Sequence, residues 1–230
     1  KELYPSRDEF KYPKAGEDNS EISLWVYSID GAAKQLKLPK EFEYIPRMYW
    51  TDNNELVVLL LNRLQNEMNL IQFNSDFSES TILYTEKDAA YLELPEVLHF
   101  TVKGDFLINS DKSGTNQLYL CNQKECKAIT PVDLELTSFY GFDEKKKIFY
   151  FQATSPELAH QRSIYSGTLK GKTKLISTQD GWNDAIFNPQ LTYFVYSFQN
   201  ATTPPIYDLI EVNKFKKIRN LEDNALLKST

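Results

Sequence analysis

Apolar residues fall in short runs along this chain, and polar clusters separate them. Runs such as Phe149-Tyr150-Phe151 and Tyr193-Phe194-Val195-Tyr196 are rich in aromatic and β-branched residues and too short for helices, so they predict strands. Four aromatic anchors, Trp50, Phe100, Phe142 and Phe187, recur at spacings of 50, 42 and 45 residues. Each is followed by a polar turn, and an apolar run opens six positions after each anchor, at Leu56, Phe106, Ile148 and Tyr193. A third run follows at Leu70–Phe73, Leu118–Cys121, Ile164-Tyr165 and Ile206–Ile210. A shorter fourth run follows at Thr81–Tyr84, Ala128–Thr130, Lys174–Ile176 and Lys217–Arg219.

A unit of four short strands repeated at about 45 residues is the pattern of a β-propeller blade rather than of an α-solenoid. The bland alternative, a β-sandwich with accidental spacing, does not account for the common step from anchor to strand. The repeat divides one partial propeller domain, 1–230, into segments 44–85, 91–131, 132–178 and 181–222. Residues 1–43 hold only the back half of a blade, with strands expected at Ile22–Ile29 and Gln35–Leu38. That makes about four and a half four-stranded antiparallel blades in an all-β chain, and 223–230 lead out of the last one. One helix is expected, within Asn220–Lys228, with Asp223 or Asn224 as its cap. Aromatics dominate interfaces between packed sheets, so the four anchors are expected to be buried between neighbouring blades. Trp25, Trp50 and Trp182 lie on or beside predicted strands, where packing explains them better than sugar binding does.

Composition narrows the partners. Lys and Arg number 26 and Asp and Glu 32, for a net charge of −6, which argues against nucleic acid, whose phosphates call for a basic surface. Aromatics make up 13% of the chain, which leans it further toward sheet. The longest aliphatic run, Leu56–Leu61, is six residues, whereas a membrane helix needs about 20. The chain opens Lys1-Glu2-Leu3-Tyr4, without an initiator Met or an apolar signal segment, so a processed chain or an excised piece is expected.

Three strings are more specific than the repeat: Tyr12-Pro13-Lys14-Ala15-Gly16, Leu61-Asn62-Arg63-Leu64-Gln65-Asn66 and Leu221-Glu222-Asp223-Asn224-Ala225-Leu226. In their order and blade phase the chain resembles the N-terminal propeller of the dipeptidyl peptidase IV family, in the prolyl oligopeptidase group of serine peptidases, and bacterial members more than animal ones. The resemblance implies the later half of an eight-bladed propeller that caps an α/β-hydrolase domain. It also implies a parent enzyme that releases dipeptides or tripeptides from peptide N-termini after Pro or Ala. This segment would then shape and gate the substrate chamber.

The chemistry of such an enzyme is missing from these residues. No Gly-x-Ser-x-Gly elbow occurs among the eight glycines. The two histidines do not make a triad base: His99 sits beside an anchor and reads as packed, and His160 lies in a polar loop. No metal or cofactor is expected, because the two histidines have no suitably spaced Cys or carboxylate. The family grips the substrate amine with two consecutive glutamates. No such pair occurs here, Asp8-Glu9 and Asp143-Glu144 being the nearest, and the family's pair is expected upstream of Lys1. What the resemblance leaves near a substrate is the stretch before His99, with Tyr91 and Glu93 as candidates for the pocket rim; the plain alternative is an ordinary connection between blades.

Cys121 and Cys126 flank a polar turn, where a hairpin brings them within disulfide reach; either a bridge or two free thiols fits. The family has a bridge across this hairpin, which implies one here and, with it, a periplasmic or extracellular location. Residues 1–20 match a family extension that takes part in homodimer contact, with Tyr4, Phe10 and Tyr12 as anchors and Pro5 and Pro13 limiting strand growth. Two open blade faces add pressure to associate, so a homo-oligomer is expected. The partners implied are peptide substrate through the parent enzyme and the parent's hydrolase domain. A competing reading from another class is a non-enzymatic propeller that binds proteins.

Overall fold

The computed structural model describes residues 3–4 and 6–228. Contacts divide it into two compact units, one ending at Leu92 and one beginning at Glu93. Lys1, Pro5 and Thr230 lie outside the described residues.

In the first unit residues 6–23 form no strand or helix, and a two-stranded hairpin follows, β1 (Leu24–Tyr27) and β2 (Ala33–Leu36). A four-stranded antiparallel sheet follows in the order β3 (Tyr44–Trp50), β4 (Leu56–Leu61), β5 (Glu67–Phe73) and β6 (Ser80–Lys87). Strand β4, Leu-Val-Val-Leu-Leu-Leu, is buried along its whole length, as an apolar run covered on both faces should be. Leu56, Val58 and Leu60 join Leu24, Leu36 and Phe42 in one core, which packs the hairpin on the sheet.

The second unit holds three four-stranded antiparallel sheets. They are β7 (Leu98–Phe100), β8 (Phe106–Ser110), β9 (Gln117–Cys121), β10 (Cys126–Ala128); β11 (Glu135–Asp143), β12 (Ile148–Thr154), β13 (Ser163–Thr168), β14 (Thr173–Leu175); and β15 (Trp182–Phe187), β16 (Tyr193–Asn200), β17 (Thr203–Glu211), β18 (Lys216–Glu222). Within each, sequential strands are neighbours, and no strand is shared between sheets. The strands expected six positions after the anchors begin at Leu56, Phe106, Ile148 and Tyr193.

The middle sheet serves two cores. Phe149, Phe151 and Ala153 of β12 pack with Leu107, Leu118 and Leu136. The intervening Tyr150 packs with Ile164, Ala185 and Phe194. Successive side chains on a strand point to opposite faces, so this alternation sandwiches β12 between its neighbours. Gly167 on β13 makes room for it: a Cβ there would stand 2.2 Å from the Phe149 ring.

Four expectations need correction. Trp50 ends β3, as Phe100 and Phe187 end β7 and β15, but its ring is not buried between blades: it meets Phe77 edge-on and the residue stays 61% exposed. Phe142 is buried and Phe100 and Phe187 are half-buried. Trp25 and Trp182 are likewise exposed, so packing does not account for the tryptophans. The C-terminal helix is shorter than its local sequence suggests, because Asn220–Glu222 extend β18. Asn220 donates to Asp208 at 2.8 Å and Glu222 pairs with Tyr207, so ladder partners outweigh local propensity. The helix α1 (Ala225–Lys228) follows, with Asp223 accepting the Ala225 N–H at 3.0 Å. Strand β10 also starts two residues early, because the Asn122–Glu125 turn is tight and sets Cys126 opposite Cys121.

Candidate functional site

Tyr91 and Glu93 lie on the connection between β6 and β7, both exposed, on either side of the buried Leu92. Tyr91 belongs to the first unit, which Leu92 closes, and Glu93 opens the second. What holds Tyr91 is the β4–β5 turn. Asn62 accepts the N–H groups of Asn66 and Glu67 at 3.0 and 3.1 Å, and Gln65 takes a left-handed φ of 55°. The carbonyls of Gln65 and Asn66 then accept the N–H groups of Leu92 and Asp88. The Asp88 carboxylate accepts from Ala90 at 2.7 Å and Tyr91 at 3.3 Å, an Asx turn that fixes the connection at its start. Asn62, Asn66 and Asp88 thus hold the connection, a role that sequence reasoning did not give to Asn62 and Asn66, which it quoted only as part of a family-like string, and it did not single out Asp88. The Asn62-to-Asn66 spacing of a polar turn was the available signal.

In the first unit Arg63, from the second specific string, reaches the residue that directly follows the first. Arg63 donates to the Glu17 carbonyl at 2.7 Å and pairs with Glu43 at 3.3 Å. The turn Lys14–Glu17 closes through the Lys14 N–H on the Glu17 carboxylate. Beside Arg63 lies an open cleft of about 930 Å³, bordered by residues 18–23, 35–40, 42 and 43. Its rim is of mixed sign, with Asp18, Glu21 and Glu43 against Lys37, Lys40 and Arg63. Tyr4, Phe10 and Tyr12, the residues suggested for subunit contact, are exposed.

In the second unit a buried polar node ties β15 to its neighbours. The Asn183 side chain donates to the carbonyls of Arg162 at 2.7 Å and Gln179 at 2.9 Å and accepts from the Tyr196 hydroxyl. Its backbone carbonyl accepts from Gln152 at 2.7 Å. Gly181, at φ +149°, passes so close to β16 that a Cβ would stand 2.6 Å from the Gln199 carbonyl. Alongside, Tyr140 donates to Asp184 at 2.6 Å. Burial, with the nearby Asp208 charge, pushes the Tyr196 phenol up to about 12. Burial and the Asp184 carboxylate raise Tyr140 far above the usual phenol range.

His99, on β7, meets the Phe142 ring edge-on at 5.7 Å, and His160 is exposed in the loop after the short turn Pro156–Leu158. Asp143 ends β11 and Glu144 opens the β11–β12 turn. Burial works against the Glu144 charge, but the Lys147 ammonium and the Val102 N–H outweigh it and hold the carboxyl below its ordinary range. Glu144 is thus already partnered from within the chain. Among the described residues, no three His, Cys, Asp or Glu side chains gather in a metal-binding group. Cys121 and Cys126 form a disulfide across the β9–β10 hairpin. No helix among the described residues is long and apolar enough to cross a membrane.

Comparison with known proteins fits this picture of blade-like sheets. Over nearly its whole length the chain is 24% identical to venom dipeptidyl peptidase 4 of the hornet Vespa velutina, covering 98% of this chain and 32% of the relative. It is 25% identical to inactive dipeptidyl peptidase 10 of the mouse, Mus musculus, covering 99% and 32%. The chain therefore spans about a third of the length of the curated relatives it matches. The crystal structure of Porphyromonas gingivalis dipeptidyl peptidase 4 superposes with a TM-score of 0.85 at 32% identity, covering 99% of this chain and 34% of that one. The fold is that of part of a β-propeller. Residues 1–205 match the model of the dipeptidyl peptidase IV (DPP IV) N-terminal region, and the chain belongs to that family.

Proposed function

We propose that this chain is the chamber-forming and substrate-gating propeller segment of a serine-type exopeptidase that releases dipeptides or tripeptides after Pro or Ala, and that it does no chemistry alone. The family match over residues 1–205 carries the reading. The lack of a nucleophile elbow is consistent with it, because a Ser nucleophile needs that strained turn to present its hydroxyl. Tyr91 and Glu93 are assigned to the pocket rim, where an exposed phenol and carboxylate would meet the peptide near its amine end. The disulfide supports an extracellular or periplasmic location. Tyr4, Phe10 and Tyr12 are assigned to contact with a second copy.

The test uses the parent-length protein. Tyr91→Ala and Glu93→Gln should each raise KM for a Pro-containing dipeptide amide several-fold and leave the thermal midpoint unchanged. Unaltered kinetics in both variants would remove these residues from the rim. Residues 1–230 alone should neither cleave such an amide nor react with a fluorophosphonate. Labelling of a Ser within them would overturn the whole reading.

A second reading has one observation in its favour. One of the relatives reported above, 25% identical to this chain, is named an inactive dipeptidyl peptidase, so this propeller type also serves proteins without the activity. The parent would then be a protein-binding module. Sequence beyond Thr230 decides between the two: a Gly-x-Ser-x-Gly elbow supports the enzyme, and its loss from an otherwise matching hydrolase domain supports the binder.

A further inference from the structure

The chain carries an excess of acid, yet two segments of the second unit carry only base. Residues 168–175 contain Lys170, Lys172 and Lys174 with no Asp or Glu; residues 212–219 contain Lys214, Lys216, Lys217 and Arg219, again with no acid. All seven side chains are exposed. The first segment forms the β13–β14 hairpin and the second the β17–β18 hairpin, in adjoining sheets. They meet in space. Lys174 Nζ lies 5.8 Å from the centre of the Phe215 ring, and Ile176 and Phe215 pack on the same core. The second unit as a whole has equal numbers of acidic and basic residues, so this concentration is local.

Charged residues on a sheet edge usually serve to block edge-to-edge pairing, and Lys216 and Lys217 on the edge strand β18 can do that. Lys217 is moreover paired with Asp208 at 2.7 Å, and Lys216 stands opposite Glu211. That account does not reach Lys170, Lys172 and Lys214, which lie in the hairpin turns, where no ladder edge is offered. None of these three, nor Lys174 or Arg219, has an ion-pair partner among the described residues. The second feature is apolar. Bulges in the β17–β18 ladder leave Ile218 and Leu221 unpaired, and Ile218 is 49% exposed; Leu175, beside Lys174, is 52% exposed. A soluble polyanion would gain nothing from these side chains, whereas a lipid surface offers phosphate to the cations and acyl boundary to Leu175 and Ile218.

We propose that these two hairpins form a peripheral docking edge for an anionic phospholipid surface. Each cation near such a surface strengthens binding about fivefold, and the attraction is screened by salt. The edge is independent of the peptidase reading, since it uses none of the rim residues.

The experiment is vesicle co-sedimentation of the protein, with phosphatidylcholine vesicles compared with vesicles containing one part in three of phosphatidylglycerol. The protein should sediment with the anionic vesicles at low salt, stay in solution with phosphatidylcholine alone, and lose binding in half-molar NaCl. The variant Lys170→Glu/Lys172→Glu/Lys214→Glu/Lys174→Glu should bind at least tenfold more weakly while keeping its thermal midpoint. The control variant Lys34→Glu/Lys37→Glu/Lys40→Glu/Lys11→Glu carries the same change of net charge and should lose much less. Ile218→Ser and Leu175→Ser should each weaken binding to the anionic vesicles without changing the salt dependence. Equal loss in both charge variants, binding to neutral vesicles, or binding to heparin with no binding to anionic vesicles would each overturn the proposal.

Discussion

Strands β12 and β16 are the second strands of adjoining sheets, and they are covered differently. In β12 every residue but the first is buried, because one face belongs to the core around Leu107 and Leu118 and the other to the core around Ile164 and Phe194. In β16 only Phe194 and Phe198 are buried; Tyr193 and Gln199, on the opposite face, are exposed. The neighbouring strand shows the same split, with Asn183 and Ala185 buried while Trp182 is 44% and Ile186 74% exposed. The sequences differ in the same sense. Ile-Phe-Tyr-Phe is apolar at every step, whereas Val-Tyr-Ser-Phe-Gln alternates toward its end. A blade is therefore not stable by virtue of its own ladder; its second face sets how much apolar area it removes from water.

The largest effect should come from the doubly covered strand. Phe151→Ala removes a fully buried ring and should cost about 3–5 kcal/mol, read from a shifted denaturant midpoint. A loss near 1 kcal/mol would show that β12 is not held between two cores. Next comes the node that ties the sheets. Asn183→Ala strands the Gln179 carbonyl and the Tyr196 hydroxyl and leaves the Arg162 carbonyl only the backbone N–H of residue 183, for roughly 1–3 kcal/mol in the same measurement.

The Tyr196 phenol extends this to pH. Its folded pKa, about 12, lies above the ordinary 10.0, so the folded state favours the protonated form. The stability it contributes is complete below about pH 10 and is lost as the pH rises through about 12. Tyr140, raised for the same reason, acts in the same direction. Tyr196→Phe should therefore show a shallower fall in thermal midpoint between pH 10 and 12 than the parent sequence. An identical fall would mean that the phenol titrates as if exposed. The smallest effect belongs to the open face: Ile186→Ser should change stability by no more than about 0.5 kcal/mol, because little burial is lost.

The repeat was legible because strands of a blade are local in sequence. Anchors such as Phe142 and Phe187 sit at first-strand ends, and the step to Ile148 or Tyr193 is set by one short turn. What the local sequence did not reveal depends on distant partners. Trp50 has the same place in its sheet as Phe187, but Phe187 stacks on Tyr150 of the adjoining sheet at 4.9 Å, while Trp50 meets only the edge of Phe77. Asn220–Glu222 read as helix until β17 supplied a ladder. The connection proposed as the pocket rim is a matter of position in the sequence, not of roles. Tyr91 and Glu93 are proposed for it from their place before His99, whereas the Asn62, Asn66 and Asp88 hydrogen bonds that hold the connection depend on a turn about twenty-five residues away.

Hydrogen exchange followed by mass spectrometry compares the two strands directly. Peptides covering 148–154 should exchange only with global unfolding, and those covering 193–200 should exchange at least about tenfold faster, through local opening of the sheet that is covered on one face. Equal protection of the two would contradict the claim that the second covered face, rather than the ladder, sets a blade's stability.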